Sequence, residues 1–113
     1  MNKDDIGIKK EIISMLEYDP FEGYAEADQK FLYNELYSYF SDEEIIEDQF
    51  LVSQLIQIAN NNNQIRKIDY LISTYTANTE LLIKNDAKIK SLKFTKQILF
   101  KTQNTSQKKI AFQ

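Results

Sequence analysis

Residues 45–84 read IIEDQFLVSQLIQIANNNNQIRKIDYLISTYTANTELLIK, forty residues without a glycine or a proline. Neither of the two strongest helix breakers interrupts the stretch, so the period of its apolar residues decides its structure. Ile45, Ile46, Phe50, Leu51, Val52, Leu55, Ile56, Ile58 and Ala59 crowd the first half. That is more than one helix face can bury against a single neighbour, and it marks the centre of the core. Asn60–Asn63 follow, and asparagine is a poor helix former. Beyond them Ile65, Ile68, Ile72, Tyr75, Thr79 and Leu82 recur at spacings of three and four with no lost phase. The pattern therefore favours one helix to about Lys84 with the asparagines on its wet side. A hairpin at Asn60–Asn63 is the alternative.

A helix of some forty residues spans roughly 60 Å, well beyond a compact domain built from 113 residues. Much of it would stay uncovered. The seam Ile65, Ile68, Ile72, Tyr75 and Leu82 is accordingly either a core-facing stripe or a homo-oligomer interface, since both use a/d spacing.

The segments on either side are also helical in pattern. Upstream, Ile8, Ile12, Met15 and Leu16 form an amphipathic stripe in a helix from about Asp4 to Glu17, with Asp4 and Asp5 at its positive end. Tyr18-Asp19-Pro20-Phe21-Glu22-Gly23 stops it, because proline restricts the residue before it and glycine permits positive φ. A second helix covers Ala25 to Phe40, with Phe31, Leu32, Leu36, Tyr39 and Phe40 on one apolar face flanked by Tyr33 and Tyr37. Ser41-Asp42-Glu43-Glu44 has the pattern of a capping box and starts the next helix at once. Downstream, Asn85-Asp86 closes the long helix. A basic amphipathic helix runs from Ala87 to about Lys101, a strand at Leu92–Phe100 being the alternative, and polar Thr102–Gln107 reads as loose. With 2 glycines and 1 proline in all, the chain lacks the turn residues a sheet-rich fold requires. The expected fold is all-α, a helical bundle or hairpin with one long central helix and a basic C-terminal helix or tail. By length it is one domain, comprising an acidic helical core, residues 1–86, and a basic segment, residues 87–113.

Charge is divided along the chain. Residues 1–50 hold 14 acids and 4 lysines, whereas residues 51–113 hold 3 acids and 10 bases, seven of them lysines after the last acid, Asp86. Such asymmetry points to nucleic acid or a charged partner. Lys88, Lys90, Lys93, Lys96, Lys101, Lys108 and Lys109 are the candidates for phosphate contact with double-stranded DNA. The bland reading is a solvated helix face, or pairing with the chain's own acids. Base reading suits arginine better, and the chain has one, Arg66. The acids Asp42, Glu43, Glu44, Glu47 and Asp48 sit where a helix N-terminus wants them. The aromatic residues between Tyr18 and Phe40 lie among acids that repel phosphate, which suits them to packing rather than base stacking.

Several function classes recede. No cysteine and no histidine are present, which removes thiolate zinc sites, cysteine nucleophiles and the commonest general base. No nucleophile–base pair or metal cluster stands out, so no enzyme and no cofactor or metal are expected. Met1–Lys10 lacks the apolar run of a signal peptide, and no apolar stretch approaches the ~20 residues of a membrane span. A cytoplasmic protein, in the host cytoplasm if viral, with no membrane partner, is the expectation.

The order of segments from Ala27 onward resembles that of the small terminase subunits of tailed bacteriophages. The matching stretches are Phe31-Leu32-Tyr33-Asn34-Glu35-Leu36, then Ser41-Asp42-Glu43-Glu44 with Asp48, then Leu51 to Ala59, then Ile68 to Leu82. The chain departs from that family in lacking an Asn-Pro before the final helix and a Leu-Gly-Leu turn near the end. The resemblance implies a ring-forming, non-enzymatic subunit that recognises viral DNA and presents it to a large terminase ATPase. The other reading of the residues is a structural virion or complex component acting through helix-mediated protein–protein contacts.

Overall fold

The computed structural model describes residues 1–40 and 46–111, the stretch 104–111 as backbone alone. The expected capping box at Ser41–Glu44 lies outside the described residues. The fold is all-α: α1 (Lys3–Leu16), α2 (Glu26–Tyr39), α3 (Gln49–Tyr75), α4 (Thr79–Lys84) and α5 (Asp86–Ala111), with no strand among the described residues. Two compact units, residues 1–63 and 64–113, divide within α3. The sequence pattern sets its boundary at Asp86 instead, where acids end.

In the first unit, Asn2 caps α1 by accepting the Asp5 amide at 2.8 Å. Glu17 closes that helix in the left-handed region at φ 67°, and Gly23 takes φ 84° at the far end of the turn. Between them the chain folds inward. Phe21 and Tyr33 are both fully buried, their rings edge to face at 5.4 Å, and each such burial stabilises by about 1.5–3 kcal/mol. One Asp19 carboxylate oxygen accepts both the Tyr33 hydroxyl at 2.5 Å and the Phe21 amide at 3.0 Å. The Gln29 amide donates to the Phe21 carbonyl at 2.9 Å, so the turn is fastened to α2. The apolar pattern makes Tyr33 a flank; it lies instead in the core, because Asp19 satisfies its hydroxyl there. Helices α1 and α2 pack together over Ile12, Leu32 and Leu36.

Asp48 caps α3, its carboxylate accepting the Leu51 amide at 3.1 Å. The helix then runs unbroken through Asn60–Asn63, which excludes the hairpin. The asparagines are not on the wet side, however. Asn63 is buried and donates to Asp28 at 3.1 Å, and Asn62 donates to Glu35 at 3.3 Å. Carboxylates on α2 make a polar seat that the apolar pattern of α3 alone does not reveal.

The second unit corrects two boundaries. The helix expected to reach Lys84 ends at Tyr75. Asn78 adopts an extended backbone, and its side chain accepts the Leu81 amide at 2.9 Å. An asparagine N-cap with Glu80 in the following turn starts α4, overriding the apolar spacing at Thr79. Asn85 closes α4 with its amide on the Leu81 carbonyl at 3.0 Å. Helix α5 then continues through Thr102–Gln107, where a loose segment is expected. Those residues have modest helix propensity, but none is glycine or proline, so nothing forces an end.

Burial first, then the Asp19 hydrogen bond and charge, hold the Tyr33 phenol well above its ordinary pKa. Burial and Glu35 do the same to Tyr39. The unfolded chain releases these protons near pH 10 while the folded chain retains them. The tyrosines' contribution to stability is therefore constant below about pH 9 and is lost as pH rises past about 10. Urea titrations at pH 8 and 10.5 should show this loss, and Tyr33→Phe should reduce it. Asp19→Ala, which leaves two buried donors without their acceptor, should cost about 1–3 kcal/mol at pH 8.

Candidate nucleic-acid interface

Helix α5 carries a single acid in its described first turn, Asp86, and all seven candidate lysines follow it. At 3.6 residues per turn, Ile89, Leu92, Lys96, Leu99 and Gln103 share one arc. That arc faces inward: Ile89 and Gln103 are buried and the other three half-buried. Within the second unit α5 runs antiparallel to the end of α3, since Lys88 lies beside Tyr75 and Lys96 beside Asp69.

The lysines are not equivalent. Lys96 is drawn into the inner arc, its ammonium 2.5 Å from the Asp69 carboxylate and 5.6 Å from the centre of the Phe100 ring. Lys88 is exposed and stands 5.8 Å from the Tyr75 ring, a cation–π contact worth about 0.5–1 kcal/mol at such a site. Lys90 pairs with Asp86 one turn back at 3.1 Å, with both side chains largely in water, so the pair is easily exchanged. Lys93 and Lys101 are exposed. The side chains of Lys108 and Lys109 lie outside the described residues, although the helix backbone passes through both positions. Lys88, Lys90, Lys93 and Lys101 thus present charge to solvent from one helix, without a cleft.

Of the seam residues, Ile65 and Ile68 are buried, Ile72 and Tyr75 are half-buried, and Leu82 is exposed on α4. An apolar groove of about 380 Å³ lined by Leu71, Tyr75, Ala87, Lys88, Ser91 and Leu92 opens beside Tyr75. Two features are missed by a search for lysines. Phe94 and Ile98 are 64% and 48% exposed on the outer side of α5, between Lys90 and Lys101. On a helical wheel Phe94 falls about 140–160° from Leu92 and Leu99, and Ile98 about 100–120° from them, so the residue spacing holds the signal. Tyr70 and Ile83, each more than 70% exposed, have no comparable mark in the sequence.

Among the described residues no three acids converge on a site that could hold a metal ion, and no helix is long and apolar enough to cross a membrane. No protein-family model matches the chain, and no curated protein or solved structure matches it.

The two sides of α5 should separate in a stability measurement. Ile89→Ala empties a buried site and should cost about 2–4 kcal/mol in urea unfolding. Phe94→Ser should change stability by no more than about 0.5 kcal/mol.

Proposed function

We propose that this protein is a non-enzymatic adaptor that binds duplex DNA through phosphate contacts from its second unit. The observation that carries the reading is the coincidence of charge with structure. The first unit holds 14 acids and 4 lysines, and the second holds 3 acids and 10 bases. The chain is acidic overall, with a net charge of −3, yet one compact unit is strongly cationic. Lys88, Lys90, Lys93 and Lys101 supply the contacts, with Lys108 and Lys109 further along the same helix. A single arginine leaves little capacity for reading bases, so the binding is dominated by backbone charge. The order of helices supports a role like that of a phage small terminase subunit serving a large terminase.

A second reading is a structural component of a protein complex. The exposed Tyr70, Ile83, Phe94 and Ile98 favour it, because large apolar side chains grouped on one unit commonly mark a protein contact.

Duplex binding followed by fluorescence anisotropy tests the first reading. If about five phosphates are neutralised, affinity should fall several hundredfold between about 50 and 200 mM salt. Each Lys→Gln change at 88, 93 or 101 should lower the salt slope by about 0.9. Asp69→Asn, which releases Lys96, should strengthen binding. Absence of binding at low salt overturns the reading.

A further inference from the structure

The first unit has a groove of about 670 Å³ between the end of α1 and the start of α3, its lining part apolar and part polar. Its walls include Met15, Leu16, Pro20, Val52 and Ile56. One acid, Glu17, lines it, and two more, Glu47 and Asp48, are exposed in the sequence between the lining residues Ile46 and Gln49. Phosphate is unwelcome among those carboxylates, so the DNA reading does not use this face. What fits it is an apolar ridge of net positive charge.

Helix α5 presents such a ridge. Lys90, Phe94, Ile98 and Lys101 follow one another at i, i+4, i+8 and i+11, which places them along a single stripe. Phe94 and Ile98 are exposed, and no acid occurs after Asp86. The dimensions agree. Groove positions on α3 run from Gln49 to Ile56, about 10 Å of helix, and Phe94 to Ile98 occupy about 6 Å.

We infer that copies of the chain associate head to tail, α5 of one copy seating Phe94 and Ile98 in the α1–α3 groove of the next. Lys90 exchanges its weak pairing with Asp86 for those carboxylates, and Lys101 meets them one turn beyond Ile98. The two surfaces differ, so the contact is heterologous and each copy keeps one free groove and one free ridge. Such a contact closes into a ring or propagates, depending on the rotation it imposes. It deepens the protein-complex reading and requires no DNA.

Sedimentation equilibrium of the full chain at low salt, without nucleic acid, tests it. The wild type should exceed the mass of a dimer as concentration rises. Phe94→Asp disables the ridge, and Ser53→Lys, an exposed groove position, disables the groove. Each should weaken association by about tenfold or more with helical circular dichroism unchanged. Gln49→Lys, also exposed at the groove, replaces Ser53→Lys if that variant loses helix. The decisive sample is an equimolar mixture of the two variants. One retains a groove and the other a ridge, so the mixture should form a dimer and stop there. A wild type that remains monomeric, variants that associate like the wild type, or folded variants that fail to complement each other overturns the inference. None of these outcomes requires DNA, so absence of duplex binding overturns the first reading and leaves this inference standing.

Discussion

Two side-chain amides decide whether the long helix can exist. Four consecutive asparagines cost α3 up to about 0.7 kcal/mol each relative to better helix formers, and this occurs where the two units divide. Asn62 and Asn63 offset that cost by donating to Glu35 and Asp28. Hydrogen bonds to charged acceptors contribute about 1.5–3 kcal/mol each where they are shielded, and Asn63 is almost wholly buried. The two acids stand seven residues apart on α2, along one face of it. A run of poor helix formers thereby becomes an attachment, and α3 continues into the basic unit as a regular helix about 40 Å in length.

The same balance explains what could be read from the sequence. Periodicity revealed the helical class, and the proline and glycine of Tyr18–Gly23 revealed the turn, because both signals are local; the last helix was expected from Ala87, one residue after its start at Asp86. Local signals failed where a partner distant in sequence supplied the missing half. The burial of Tyr33 depends on Asp19, and that of Asn63 on Asp28. At Asn78 the signal was local but was outvoted by the spacing of Thr79 and Leu82, although an asparagine followed by a threonine and a glutamate is a recognisable helix start.

The candidate site divided in the same way. Counting lysines after Asp86 located the charge, but not its distribution around α5. Asp69 takes Lys96 out of the exposed set, a pairing between residues 27 apart that no motif announces. Exposure of Phe94 and Ile98 follows from helical geometry alone once Ile89 and Leu92 are placed inside. Charge in this protein therefore has two roles. On α2 and in the first turn it is structural, accepting amides and two phenols. On α5 it is largely turned outward.

No charged residue occurs between Asp48 and Arg66, and the division between units falls inside that neutral interval. Seventeen uncharged residues separate a predominantly acidic stretch from a predominantly basic one. A molecule with this arrangement does not behave according to its sequence pI of 5.0. At neutral pH it is a zwitterion on the scale of whole folded units, with one unit able to adhere to a positively charged chromatographic matrix and the other to a negatively charged one. Its elution then reports which unit is engaged, so that covering either one with a partner abolishes retention on the opposite matrix and leaves the other intact.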